Sequence, residues 1–138
     1  MRSESETRQR RSEGVIDRTQ LLRDRTKGFA ASVIRLYLGL DQRREEIRIL
    51  GRQLIRSATS VAANYREASR ARSKQEFTAK IDLCSQELDE TQLWLELLRD
   101  ECRVPASMIN PIWEEADQLI RISVTMSKNT KGKSGKNA

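Results

Sequence analysis

A heptad repeat between about residues 74 and 103 constrains the fold of this chain more than any other feature. Apolar or small residues recur in two rows with a seven-residue step: Phe77, Cys84, Thr91 and Leu98 in one row, and Ile81, Leu88, Leu95 and Cys102 in the other. This spacing matches one face of an α-helix and not the two-residue alternation of a strand. It therefore predicts a helix of roughly thirty residues that buries a long stripe against other helices.

Three further segments repeat apolar residues at three- and four-residue steps, over residues 16–38, 42–71 and 110–127. The second of these also carries small residues beside its stripe, which let a partner helix approach closely. Asn110-Pro111 resembles a cap followed by proline at the first position of the last helix, although this helix could begin a turn earlier. All four segments therefore predict helices, and no strand is expected.

Short connections separate the four segments, and they determine the topology. Gly39 is a natural stop for the first helix, and Val104-Pro105 ends the third. Ser73 and Glu76 form a capping box, so that helices two and three make a hairpin with almost no loop. Neighbouring helices joined by short loops run antiparallel, which predicts an all-α, up-down-up-down four-helix bundle.

The bundle is expected to occupy residues 15–127 as one domain, with disordered basic tails. Residues 1–14 lack an apolar stripe and are predicted to form a flexible N-terminal arm. Residues 128–138 carry four lysines among Gly, Ser and Asn, and are predicted to be a disordered tail. No secretory signal or membrane span is recognisable, so a cytoplasmic location is expected.

The residue types do not favour a catalytic site, a metal site or a cofactor site. The chain has no histidine and only two cysteines, eighteen positions apart on one predicted helix, too far for a disulfide within the chain or a zinc site. No nucleophile lies near a recognisable base. We therefore expect a protein that is not an enzyme and that needs no cofactor or metal.

The net charge of +6 is unevenly distributed along the chain. Residues 15–40 and 41–72 carry +3 and +4, whereas residues 73–103 and 104–127 carry −4 and −2. Such a polarised bundle can attract nucleic acid, or place its basic half against the acidic half of a neighbouring subunit.

The candidate nucleic-acid contacts are basic residues of helix two and of the tail. They comprise Arg44, Arg48, Arg52, Arg56, Arg66, Arg70, Arg72, Lys128, Lys131 and Lys133. The first four recur every four residues and form a connected column that could contact successive phosphates. A solvated helix face and a subunit contact are the alternatives for this column, and the tail lysines could serve only solubility.

A second group of residues is interpreted as structural. Asn64 and Glu67 lie one helical turn apart beside the apolar stripe, where a buried pair would need hydrogen bonds and could fix the register of a helix or subunit contact. Ser73, Glu76 and Phe77 begin helix three. Trp94 lies near an apolar stripe, so packing in the core or at an interface is expected rather than base stacking.

Residues 53–77 resemble the proteins encoded in intervening sequences of bacterial 23S rRNA genes, and the similarity extends over about residues 25–125. The matching positions include polar residues as well as apolar ones: Gln53, Leu54, Arg56, Ala58, Ser60, Asn64, Glu67, Ser73, Glu76 and Phe77. Ala68 departs from the family pattern, which has glycine there.

The resemblance implies a four-helix bundle that assembles as a ring-shaped homo-pentamer. A related bundle, the accessory protein of diversity-generating retroelements, is also a basic pentamer and binds nucleic acid and a reverse transcriptase. The resemblance therefore implies RNA or DNA, and also a reverse transcriptase, as partners to consider. A protein-interaction module without nucleic-acid binding is the alternative function.

Overall fold

The computed structural model describes the backbone of residues 4–135 and the side chains of residues 18–132. It contains four α-helices: α1 (Glu4–Leu38), α2 (Glu45–Ser69), α3 (Lys74–Asp100) and α4 (Ala106–Gly135). Helix α2 packs against α1 and α3, and α3 packs against α2 and α4. The α1–α4 contact is much smaller. The predicted antiparallel up-down-up-down bundle is confirmed.

The helix ends differ from the sequence-based bounds where local turns replace helix. Helix α2 begins at Glu45 because residues 41–44 form a turn in which the Arg44 N–H donates to the Asp41 carbonyl at 3.2 Å. Helix α3 ends at Asp100, and Arg103 beyond it has a positive φ of 61°. Asn110 is not the cap of the last helix, and the alternative start one turn earlier is the one observed. Helix α4 begins at Ala106, where the Pro105 carbonyl accepts the first N–H groups, and Pro111 lies inside the helix.

The two outer helices extend further than the apolar pattern indicates. Helix α1 begins at Glu4 and α4 continues to Gly135, so helical backbone covers most of the predicted arm and tail. The apolar pattern marks only the part of a helix that is packed, which explains the shorter bounds. Residues 1–3 and 136–138 lie outside the described ones, and the disorder predicted for the two segments stays a prediction.

The heptad prediction for α3 is confirmed by burial. Seven of its eight positions are buried, and Phe77 at the start is half-buried. They contribute to two clusters, a large core that includes Leu88, Leu95 and Leu98, and a smaller one around Tyr65 and Ile81 near the α2–α3 turn. The core therefore follows α3 along its whole length.

Small residues of α2 allow the close approach that the sequence predicts. A Cβ atom at Gly51 would lie 2.3 Å from Cε2 of Tyr37 on α1, so the glycine accommodates that ring. The buried Ser57 hydroxyl is 2.7 Å from the Thr91 hydroxyl of α3. None of the helices within the described residues is long and apolar enough to cross a membrane.

Candidate nucleic-acid interface

The α2–α3 corner is built by a capping box that differs in one bond from the predicted one. The Glu76 N–H donates to the Ser73 Oγ at 3.0 Å, as expected. The Glu76 carboxylate accepts the N–H of Arg72 at 3.2 Å, one residue before the cap. This pair fixes the backbone on which Arg72 and Lys74 are placed.

The arginine column of α2 divides into structural and solvent-facing members. Arg44 is half-buried, donates to the Cys102 carbonyl at 2.9 Å and pairs with Glu46 at 2.7 Å. Arg56 pairs across the helix contact with Glu87 at 3.4 Å and with Glu90. Both arginines therefore have acidic partners within the bundle, although the Arg56 side chain remains 48% exposed, and their role in phosphate binding stays a prediction.

The other arginines of α2 face solvent. Arg48 is exposed, donates to the Gln42 carbonyl at 2.8 Å and forms no ion pair with a described acidic residue. The pKa of the nearby Glu46 is lowered first by a backbone hydrogen bond and by Arg44, and to a smaller extent by the charge of Arg48. Arg52, Arg66 and Arg70 are also exposed, and none of them is within ion-pair distance of a described acidic residue. The exposed positions between Arg56 and Arg66 are uncharged. The basic surface of α2 thus has two parts, and Arg52 and Arg66 are about 21 Å apart at the helical rise.

Lys131 of α4 lies near the α2–α3 corner because α3 and α4 are antiparallel. Lys128 is exposed. The Lys131 ammonium lies 3.0 Å from Asp82 of α3, and the Ser127 hydroxyl donates to the same carboxylate at 2.7 Å. The Ser127 hydrogen bond, followed by the contact with Lys131, lowers the pKa of Asp82. The side chain of Lys133 lies outside the described residues.

An open groove of about 440 Å³ joins these elements at the corner. It is lined by Ala71, Arg72, Ser73, Lys74, Phe77 and Thr130. A neighbouring groove of about 460 Å³ includes Lys74 and Lys131. Sequence reasoning did not single out Lys74, although the predicted antiparallel order of α3 and α4 already brings it near the tail lysines.

The predicted structural residues have separate partners. The Asn64 amide donates to the Ser60 carbonyl at 2.9 Å on its own helix. Glu67 is exposed and pairs with Lys80 of α3 at 2.7 Å, and this bond raises the pKa of Lys80. A buried Asn64–Glu67 pair is therefore absent from the single chain. Trp94 packs against the large core, and its indole N–H has no hydrogen-bond partner among the described residues.

Comparisons with known proteins agree with this architecture. The family model of the 23S rRNA-intervening sequence protein matches residues 21–125. A crystal structure of a protein with unknown function from the S23 ribosomal protein family of Bacteroides thetaiotaomicron superposes with a TM-score of 0.72. Its sequence is 28% identical, and the match covers 80% of this chain and 97% of that one. A search of curated proteins found no significant match. With three quarters of its length matched by the family model, the chain belongs to the 23S rRNA-intervening sequence protein family.

Proposed function

We propose that this protein is a cytoplasmic, non-enzymatic accessory or scaffold protein that binds RNA or DNA through the outer face of α2. The observation that supports this function is the set of exposed arginines that form no ion pair with a described acidic residue: Arg48, Arg52, Arg66 and Arg70. Uncompensated guanidinium groups on one rigid face bind the phosphate backbone without reading sequence.

Binding of a labelled structured RNA, measured by fluorescence anisotropy over a salt series, tests this function. Affinity should fall as salt rises, because each phosphate contact releases counterions. The variant Arg48→Gln/Arg52→Gln should weaken binding and reduce the salt slope by roughly 0.7–0.9 per lost contact.

A matched control is Lys27→Gln/Arg35→Gln, which removes two exposed charges from α1 instead. It should change affinity much less than the α2 variant. Absence of salt-dependent binding at micromolar protein would refute the nucleic-acid function. Equal losses in the two variants would refute the assignment to α2.

The second candidate is an oligomeric protein-interaction module, and the outer face of α3 favours it. Leu83 and Leu93 on this helix are 37% and 48% exposed, and the half-buried Leu97 follows at helical spacing. The family resemblance implies that the homo-oligomer is a pentamer. In it, the acidic second half of one chain would contact the basic first half of the next.

Light scattering tests the homo-oligomer, which is expected for both candidates, while the RNA-binding measurement separates them. A monomeric mass would rule out the homo-oligomer. Loss of the oligomer in Arg48→Gln/Arg52→Gln would assign these arginines to the subunit contact. Retention of the oligomer with weakened RNA binding would support the nucleic-acid function.

A further inference from the structure

The groove at the α2–α3 corner combines positive charge with an accessible aromatic ring. We infer that it binds an unpaired nucleotide of a single-stranded nucleic acid, with the phosphates at Arg72 and Lys74 and the base against Phe77. This inference rests on the proposed nucleic-acid function and names the strand type that one part of the surface recognises.

The size and the continuity of the groove suit a chain of nucleotides. Its volume of about 440 Å³ lies within the range of about 300–1,000 Å³ that is usual for small-ligand sites. Lys74 also lines the neighbouring groove of about 460 Å³, so the two grooves are adjacent. A strand that occupies the first groove can therefore continue into the second.

The charge balance around the groove favours phosphate. Arg72 and Lys74 are exposed and have no ion pair with a described acidic residue. The nearby Glu76 carboxylate accepts the backbone N–H of Arg72 and keeps its charge, whereas Asp82 is paired with Lys131, so among the described residues two cations stand against one unpaired anion at the groove. The two cations next to Phe77 are thus available to an incoming phosphate.

Phe77 supplies the part of the site that distinguishes an unpaired base from a duplex. It is half-buried, packed on the small core cluster around Tyr65 and Ile81, and it lines the groove with its remaining surface. Bases inside a duplex have both faces covered by neighbouring bases, so apart from the two terminal pairs only an unpaired base offers a face to this ring. Such stacking tolerates any base, which fits a protein that reads no sequence.

The inference predicts a higher affinity for single-stranded RNA than for double-stranded RNA. Fluorescence anisotropy would compare a labelled 12-nucleotide RNA strand with its blunt duplex. The wild-type protein should bind the single strand more tightly. Phe77→Leu, which keeps an apolar side chain on the core, should lower single-strand affinity roughly 5- to 150-fold and leave duplex affinity unchanged. Phe77→Tyr, which keeps the ring, should bind like the wild type.

The charges are tested with Arg72→Gln/Lys74→Gln. This variant should weaken single-strand binding and lower the salt slope by roughly 0.7 for each lost contact. Arg48→Gln/Arg52→Gln serves as the comparison, because it should weaken binding of both strand types. Circular dichroism melting curves show whether each variant is folded.

The outcomes separate this inference from the proposed function. No salt-dependent binding of either RNA by the wild-type protein overturns both. If the wild type binds RNA, equal affinity for the two strand types overturns the groove inference alone. The groove inference is also overturned if folded Phe77→Leu and folded Arg72→Gln/Lys74→Gln both bind single-stranded RNA as tightly as the wild type.

Discussion

Helices α3 and α1 occupy different positions in the bundle, and the difference shows where its stability resides. Helix α3 packs along its length on both α2 and α4, and its buried residues include Ile81, Leu88, Leu95 and Leu98. The described part of α1, residues 18–38, packs mainly on α2 and only slightly on α4. The helix with the uninterrupted heptad repeat is therefore the central one, and α1 is peripheral.

The polar contacts of the two helices differ in the same way. Between α2 and α3, the Ser57 and Thr91 hydroxyls meet at 2.7 Å inside the core. Between α1 and α4, Arg25 pairs with Glu115 at 2.6 Å, with each side chain about one-third exposed. Ion pairs that water reaches contribute only about 0.2–1 kcal/mol. We infer that the α1–α4 contact opens before the α2–α3 hairpin does.

The largest expected effect tests this difference with two leucines. Leu88→Ala on α3 should lower the free energy of unfolding by about 2–5 kcal/mol, because Leu88 is fully buried and the surrounding helices cannot collapse into the cavity. Leu22→Ala on α1 should cost clearly less, because Leu22 is half-buried at the cluster edge. Urea unfolding at fixed protein concentration measures both. Equal losses would mean that α1 is as central as α3.

A structural feature could be predicted from the sequence when the residues that determine it lie close together along the chain. The α3 helix and its Ser73 cap are local features, so the period and the capping box were sufficient to predict them. The start of α1 at Glu4 was not predictable from apolar periodicity, because residues 4–14 have no apolar stripe. The start of α4 stayed open between two positions because Asn110-Pro111 also matches a helix start.

The candidate site shows the same limit. Arg48 and Arg56 belong to one predicted column, yet only Arg56 meets acidic residues of α3. Which arginine is neutralised depends on the helix that crosses the column, and spacing along α2 does not encode it. The corner groove likewise combines the α2–α3 turn, α3 and α4, so the role proposed for Lys74 becomes visible only in the folded chain.

The second prediction uses pH to examine the interior of the α2–α3 hairpin. Burial raises the pKa of the Cys84 thiol to about 12, whereas an unfolded cysteine titrates near pH 8.5–9. Between these values the unfolded chain loses the proton and the native chain keeps it. Stability should therefore fall as pH rises from about 9 to 12, by up to about 1.4 kcal/mol per pH unit.

Urea unfolding at pH 8, 9 and 10 measures this slope, with Cys84→Ala as the control. The variant is expected to be less stable at pH 8 but to lose less stability between pH 8 and 10. Burial also raises the pKa of Cys102, which remains in both proteins and so does not affect the difference. Identical slopes would show that water reaches Cys84 in the native bundle.

The smallest expected effects come from two glycines, whose substitution should change stability in opposite directions. Gly28 of α1 has open space around its Cα, so Gly28→Ala should raise the free energy of unfolding by about 0.5–1 kcal/mol through helix propensity alone. Gly51→Ala of α2 gains the same propensity, but its Cβ would overlap the Tyr37 ring, at a cost of about 1–3 kcal/mol. A net loss of up to about 2 kcal/mol is therefore expected there. Tyr37→Ala/Gly51→Ala isolates the cause, since adding the alanine to a Tyr37→Ala background should be stabilising. Destabilisation in that background would mean that a contact other than the one with Tyr37 excludes a Cβ atom at position 51. Helix α1 would then be even more peripheral than its packing on α2 indicates.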